Sequence, residues 1–150
     1  MTRRRLESRT RTALENLIHR HSWLIDHGAA DRLPDLCEDD GRLIGIGADK
    51  VGRQAIAAWA GQRAAMTERR SRHAQTNLML EPVSPDLARG TDIPTHYRHD
   101  GAGVASPSPL LIGEFDDIDK RSADRRLALR RTQLDDPVRQ RLRLTFSLAG

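Results

Sequence analysis

Two hydrophobic periodicities divide this chain near residue 70. Before that point, apolar residues recur at intervals of three and four, as on one face of a helix. After it, apolar and polar residues alternate, as in a strand with one buried side. Helices followed by a run of strands predict an α+β fold, in which the helices pack on a mixed or antiparallel sheet.

The helical part predicts three helices, over about residues 8–26, 29–38 and 53–67. Between the second and the third, residues 38–41 predict a turn and residues 42–46 a short strand. The first helix has the clearest apolar face, and these three helices supply the layer that covers the sheet.

Four strands are predicted in the second part, over about residues 72–82, 87–98, 109–120 and 125–134. The Arg-rich segment just before them, residues 69–72, predicts a turn. In the first of these strands, alternation places one set of odd positions on the same face: His73, Gln75, Asn77 and Met79.

The length of the chain, 150 residues, is typical of one domain. We therefore expect residues 1–150 to form a single domain, with residues 1–8 and 135–150 as terminal extensions. In the second extension Leu142, Leu144 and Phe146 alternate, so it could add an edge strand or dock on a partner.

The composition limits the compartment and the partners. A single cysteine, Cys37, excludes an internal disulfide and indicates a reducing compartment, so we expect a cytoplasmic protein. No segment approaches the roughly 20 apolar residues of a membrane span. The formal net charge is +4, but acidic residues are interspersed and only 3% of residues are aromatic. A nucleic-acid partner is therefore not expected.

Two polar residues far apart in the sequence suggest a site for proton transfer. Asp26 ends the first predicted helix, and His73 begins the first long strand. A carboxylate hydrogen-bonded to an imidazole fixes the tautomer of the ring and stabilises its protonated form, which makes the histidine a general base near neutral pH. If the fold joins these residues, no metal or cofactor is needed. His21 shares the apolar face of the first helix and is expected to point inward.

Over about residues 10–132 the chain resembles the SnoaL-like branch of the nuclear transport factor 2-like superfamily. The resemblance depends on the order and spacing of five segments: Leu24-Ile25-Asp26-His27-Gly28-Ala29-Ala30-Asp31, Leu36-Cys37-Glu38-Asp39-Asp40-Gly41, Gly52-Arg53-Gln54-Ala55-Ile56, Arg72-His73-Ala74-Gln75-Thr76-Asn77 and Ile112-Gly113-Glu114-Phe115-Asp116-Asp117. It implies a cone-shaped, strongly curved sheet around a pocket, with three helices closing the cone. It also implies a homo-oligomer, either a dimer or a trimer.

The resemblance implies roles for five residues. In the dehydratase and dehydrochlorinase members, an Asp and a His at the positions of Asp26 and His73 form the catalytic dyad. His21 stands where a Tyr or Lys polarises the substrate, and Arg131 stands where an Arg stabilises negative charge. Asn77 matches an Asn of the same strand segment and is a further candidate for the pocket.

The sequence departs from the family pattern in several places. Cys37 replaces a usual aromatic residue, and Asp124-Arg125-Arg126 replaces a usual Gly-x-Trp. Trp59 and Met66 are interpreted as residues that pack the third helix rather than as walls of the pocket.

These observations predict a cofactor-independent lyase or isomerase, dehydratase-like, that acts on a small to medium, mostly apolar molecule. The alternative is a non-catalytic subunit or binding module, such as a relative of the small subunit of ring-hydroxylating dioxygenases. No metal site is expected, because His19 and His21 lie on different sides of their helix and metal binding needs three or more converging ligands.

Overall fold

Three helices and a curved, unclosed sheet of seven strands make up the described part of the molecule. The computed structural model describes residues 5–45, 47–121 and 127–135. The helices are α1 (Ser8–Asp26), a 3₁₀ helix (Ala30–Leu36) and α2 (Arg53–Ala65). The strands are β1 (Cys37–Ile44), β2 (Lys50–Val51), β3 (Arg69–Ser84), β4 (Leu87–Asp100), β5 (Leu111–Ile112), β6 (Glu114–Arg121) and β7 (Leu127–Asp135).

The sheet is mixed, with the order β2-β1-β7-β6-β4-β3 and with β5 paired to β4. The long strands β3, β4, β6 and β7 follow one another as antiparallel neighbours. The single parallel pair, β1 with β7, joins the segment between the helices to the end of the described chain. The predicted α+β fold with a curved mixed sheet is thus confirmed.

Helix α1 lies on the concave side of the sheet and ends in a C-terminal capping motif. Gly28 adopts φ +72°, and the Ala29 N–H donates to the Leu24 carbonyl at 2.9 Å, the pairing that closes a Schellman motif. This motif fixes Asp26 in the last turn. The helix passes close to β4 at Gly90, where a Cβ would lie 3.0 Å from Ile18 Cδ1.

The helices share one apolar layer. One buried cluster contains Leu17, Cys37, Leu43 and Ile56, and a second contains Leu24, Ile25, Ala30, Leu33 and Ala60. The Trp59 side chain packs against both clusters, so α2 is held against α1 and the 3₁₀ helix. Cys37 is a free, buried thiol whose burial raises its pKa to about 11, which keeps it protonated and unreactive.

Three local predictions were wrong, and long-range pairing explains each. Residues 38–41 belong to β1 because the strand begins at Cys37 and pairs with β7 there. Residues 69–72 belong to β3 because Arg69 pairs with Asp100 across to β4. The predicted strand 109–120 is divided at Gly113, whose N–H donates to the Pro94 carbonyl at 3.1 Å.

The predicted terminal extensions fall largely outside the described residues. Helix α1 begins at Ser8 and β7 ends at Asp135, close to the expected limits. The expected edge strand at Leu142, Leu144 and Phe146 lies outside the described residues. Within the described ranges, no helix is both long and apolar enough to cross a membrane.

Candidate active site

A cavity of about 290 Å³ lies between α1, α2 and the concave side of β3, β4 and β6. Its apolar lining consists of Ile25, Trp59, Met66, Pro94, Leu111 and Phe115. Its polar lining consists of His21, Gln62, Arg63, Arg69, Ser71, His73, His96 and Arg98. Trp59 and Met66 therefore contribute to the cavity wall, contrary to the interpretation of both as helix-packing residues alone. The volume is near the lower limit for small-molecule sites.

Asp26 and His73 are in direct contact at the edge of this cavity. Asp26 Oδ1 lies 2.7 Å from His73 Nδ1, and Asp26 Oδ2 accepts the backbone N–H of His73 at 2.7 Å. Ser71 Oγ donates a further hydrogen bond to Oδ1 at 2.9 Å. Because an ionised carboxylate can only accept, Nδ1 carries the proton and Nε2 is the ring nitrogen left for a ligand.

The environment of Asp26 keeps its carboxylate ionised. Burial raises the pKa of this group, but the hydrogen bonds and charge of His73, with the Ser71 hydroxyl, outweigh burial, so the pKa lies below its usual value. The side chains of His73 and Asp26 are 11% and 6% exposed. The pair is thus largely removed from water, which strengthens the interaction between a carboxylate and an imidazolium.

His96 is a site residue that was not predicted from the sequence. It is the cross-strand partner of His73, and the two rings stack with centroids 4.2 Å apart and planes within 7° of each other. Burial, with the charge of His73, lowers the pKa of His96 to about 4, so its ring is neutral at pH 7. The alternation of apolar and polar residues along β4 could have indicated that His96 points inward. Only the register between β3 and β4 places His96 beside His73.

His21 points into the same cavity from α1, as its position on the apolar face predicted. Its exposed fraction is 4%, and burial and the charge of His73 lower its pKa to about 4. Nε2 of His21 and Nε2 of His96 have no hydrogen-bond partner in the described part of the chain. Two neutral imidazole nitrogens are therefore available to a polar atom in the cavity.

The structure separates Asn77 from the other predicted site residues. Asn77 adopts φ 57° in a β-bulge between Thr76 and Met79, and its side chain is exposed. The bulge shifts the alternation of β3, so Ser71, His73 and Gln75 face inward while Met79 faces outward. Strict alternation had placed Asn77 and Met79 on the same face as His73, and this prediction was wrong.

Arg131 lies on β7, where its backbone is in register with Arg42 of β1 and Ile118 of β6. The direction of its side chain is outside what the structure describes. Its role in the site therefore stays a prediction.

Arg63 is a second site residue that was not predicted from the sequence. It projects from α2, is 8% exposed, and donates to Ser71 Oγ at 3.0 Å and to the Ile25 carbonyl at 3.5 Å. A hydrogen-bonded series thus runs from Arg63 through Ser71 and Asp26 to His73. Its helical spacing from Trp59 and Met66 was visible in the sequence, but the link to Ser71 depends on how α2 packs on β3.

Two of the buried carboxyl groups on the concave side of the sheet, Asp119 and Asp92, lie away from the lining of this cavity. Burial raises the pKa of Asp119 to about 7 and that of Asp92 to about 6, although the Gln75 side chain partly opposes the second shift. No hydrogen bond of normal geometry reaches the oxygens of either group within the described residues. In the same part of the chain, no three His, Cys, Asp or Glu side chains are arranged to hold a metal ion.

Comparison with known proteins identifies the family of this domain. The family model of the SnoaL-like domain matches residues 6–125, which is most of the chain. A comparison with curated proteins gives no match.

Among the solved structures that share the fold are three that are each less than 25% identical in sequence. A candidate scytalone dehydratase from Novosphingobium aromaticivorans has a TM-score of 0.71 and 18% identity, over 83% of this chain and 82% of the other. An NTF2-like protein with a cystatin-like fold from the same organism has a TM-score of 0.69 and 23% identity, over 83% and 79%. A candidate aromatic ring hydroxylase, also from that organism, has a TM-score of 0.71 and 18% identity, over 88% and 92%.

The SnoaL-like resemblance found in the sequence is thus confirmed by the family model, and the fold agrees with it: the chain belongs to the SnoaL-like family.

Proposed function

We propose that this protein is a cofactor-independent lyase or isomerase in which His73 is the general base. The observation that carries the proposal is the contact between Asp26 and His73, which leaves Nε2 of His73 as the free ring nitrogen beside an apolar cavity. Asp26 orients the ring and stabilises the imidazolium that forms. A carboxylate held by three hydrogen bonds is preorganised for this task, so little reorganisation accompanies proton transfer.

The reaction begins at a carbon next to an activating group such as a carbonyl. Its C–H bond breaks, the proton moves to Nε2 of His73, and the electron pair moves toward the carbonyl oxygen. In an elimination, this pair then forms a C=C bond as the leaving group departs from the neighbouring carbon, and the proton on His73 goes to that group. In an isomerisation, His73 returns the proton to a different carbon.

His21 and His96 are assigned supporting roles in this proposal. A neutral imidazole can donate one hydrogen bond to a carbonyl oxygen as negative charge develops there, and the unpartnered Nε2 of His21 is available for it. His96 stacks on His73 and restricts the rotation of that ring. Because the pKa of each is about 4, neither competes with His73 for the proton at neutral pH.

The test is proton abstraction in D₂O from a panel of small aromatic β-hydroxy ketones and β,γ-unsaturated ketones, each paired with an analogue that carries a carboxylate. NMR detects deuterium at carbon, loss of water and migration of the double bond, so one assay covers both elimination and isomerisation. We expect His73→Ala to lower the rate by about 10² to 10⁴, the usual contribution of a positioned general base.

The matched control is His19→Ala, since His19 is an exposed histidine on α1 and outside the cavity lining. It should retain the rate of the unaltered protein. No exchange above background with any compound, or equal rates in His73→Ala and the unaltered protein, would contradict the proposal. The non-catalytic subunit or binding module would then be the better interpretation.

A further inference from the structure

The cavity contains a buried cation without a direct counter-ion. Arg63 is 8% exposed, and its hydrogen bonds go to a hydroxyl and a carbonyl, not to a carboxylate of the described chain. Arg63 is linked to the carboxylate of Asp26 only indirectly, through the hydroxyl of Ser71. Asp26 itself already accepts two hydrogen bonds from His73. Burying a guanidinium in this way is unfavourable unless another group compensates the charge.

The other charged side chains of the lining do not supply that compensation. Arg69 and Arg98 both donate to the single carboxylate of Asp100, which lies just outside the lining residues and has a pKa held well below its usual range by these two bonds. Among the described residues that line the cavity, none is an Asp or Glu. Among the described residues, three guanidiniums therefore face two carboxylates, Asp26 and Asp100. Because His21 and His96 are neutral, one positive charge remains uncompensated within this part of the chain.

Part of the cavity wall is apolar and aromatic. Ile25, Trp59, Met66 and Phe115 line the cavity beside Arg63. A ligand that complements this surface needs a compact apolar body and one negative charge. The planar guanidinium fork matches a carboxylate, which it can bind through two parallel hydrogen bonds.

We propose that the substrate of this site carries a carboxylate, which Arg63 binds while the apolar body of the molecule contacts the wall formed by Trp59 and Phe115. This inference rests on the proposed function, because it names the class of molecule that reaches His73. Arg63 then has two effects: it selects for an acid, and through Ser71 it holds Asp26 in position.

The experiment compares the binding of matched acids and amides, measured by calorimetry or NMR titration at neutral pH. The probes are trans-cinnamate with trans-cinnamamide, and 2-naphthoate with 2-naphthamide. We expect the unaltered protein to bind an acid at least about tenfold more tightly than its amide, because a hydrogen bond to a charged group is stronger than one between neutral groups. Equal binding within both pairs, or no binding of either acid at millimolar concentration, overturns the inference.

Variants locate the preference at Arg63. Arg63→Gln should reduce the acid preference to less than about twofold, and Arg63→Lys should retain part of it. Arg89→Gln is the matched control, since Arg89 is exposed, pairs with Asp116 and is not a lining residue. Ser71→Ala should keep the preference. If Ser71→Ala loses it as fully as Arg63→Gln, Arg63 acts only by positioning Asp26 and the inference is wrong.

A further variant keeps the test valid if Arg63→Gln does not fold. Gln62 is an exposed residue of the same lining, and Gln62→Glu introduces a carboxylate that competes for the guanidinium. In Gln62→Glu, the preference for an acid over its amide should fall severalfold. An unchanged preference contradicts the inference. Comparing these titrations with the deuterium-exchange assay, both on the unaltered protein, separates the two proposals. An intact acid preference without any catalysis refutes the proposed function alone, and catalysis on neutral ketones without an acid preference refutes this inference alone.

Discussion

Asp26 is the residue on which the geometry of the site depends. Its two carboxylate oxygens accept three hydrogen bonds: from the ring nitrogen of His73, from the backbone N–H of His73 and from the hydroxyl of Ser71. An asparagine at this position keeps one acceptor oxygen, but its NH₂ group replaces the other and faces a hydrogen-bond donor that then has no acceptor. The dyad thus requires a carboxylate at this position and not only a polar side chain of the same shape.

We expect Asp26→Asn to lower the rate of proton abstraction by about 10² to 10⁴, because the imidazolium loses its stabilising charge. The free energy of unfolding should fall by about 1–3 kcal/mol, because two donors lose an acceptor inside the protein. Deuterium exchange and urea unfolding measure the two effects. Asp86→Asn, at an exposed turn residue, is the control. A fully active Asp26→Asn protein would contradict the assigned role.

Asp119 provides a residue-scale prediction that does not depend on catalysis. Burial raises its pKa to about 7, above the value in the unfolded chain. The folded state therefore binds more protons than the unfolded state between about pH 4 and pH 7. This group stabilises the fold most at low pH, and its contribution is lost as the pH rises through the folded-state pKa.

Asp119→Asn should remove that pH dependence. At pH 8 the variant should be more stable than the unaltered protein, by up to about 4 kcal/mol for a shift of about three pH units. At pH 4 the two should be nearly equal. Urea unfolding at pH 4, 6 and 8 measures the difference, with Asp86→Asn as the exposed control. Parallel stability curves at all three values would show that Asp119 is not desolvated.

At the scale of elements, the contact where α1 crosses β4 sets the distance between the helix and the sheet. A Cβ at Gly90 would lie 3.0 Å from Ile18 Cδ1 and 3.2 Å from Leu80 Cδ2. The helix rests almost directly on the strand backbone at this point. One turn further along α1, His21 enters the cavity, so a shift of the helix moves a site residue.

Gly90→Ala should therefore destabilise the protein by about 1–3 kcal/mol, the usual effect of an extra methyl group in a well-packed interior. Adding Ile18→Val, which removes the Cδ1 atom in contact, should recover part of the loss. Gly61→Ala is a matched control, because nothing lies within 4 Å of its Cβ position and alanine favours a helix. Thermal unfolding of the three variants measures these effects, and a neutral Gly90→Ala would show that α1 lies further from β4.

At the scale of the whole molecule, the outward side of β3 remains to be explained. The bulge at Asn77 turns Met79 and Val83 outward, and they are 58% and 59% exposed. Apolar side chains grouped on a sheet face are typical of an interface.

We expect a homodimer or homotrimer that forms through this face of the sheet. Analytical ultracentrifugation should give two or three times the mass of the chain, and Met79→Lys combined with Val83→Lys should shift the protein toward the monomer. Val104→Lys is the control, since Val104 is 95% exposed and lies in a loop. A monomer in the unaltered protein would contradict the expected assembly.

Local patterns were sufficient where the physics is local. The limits of α1, its inward face and its last residue Asp26 were all predicted from helical spacing and from the stop at Gly28. Strand β3 was predicted from alternation, which also grouped His73 with Gln75 on one face. These features depend on neighbours within a few residues, so one sequence is enough to indicate them.

Long-range pairing decided the rest. His96 stacks on His73 only because of the register between β3 and β4, and Arg63 reaches Ser71 only because of how α2 packs on β3. The bulge at Asn77 reverses the alternation that had placed Asn77 on the same face as His73. Periodicity reports which side of an element is buried, but it carries no information about which residue of another element lies opposite. The tertiary structure determines these neighbours when the sheet packs on the helices. In the folded protein, Asp26 and His73 share their cavity with two further histidines and the buried guanidinium of Arg63.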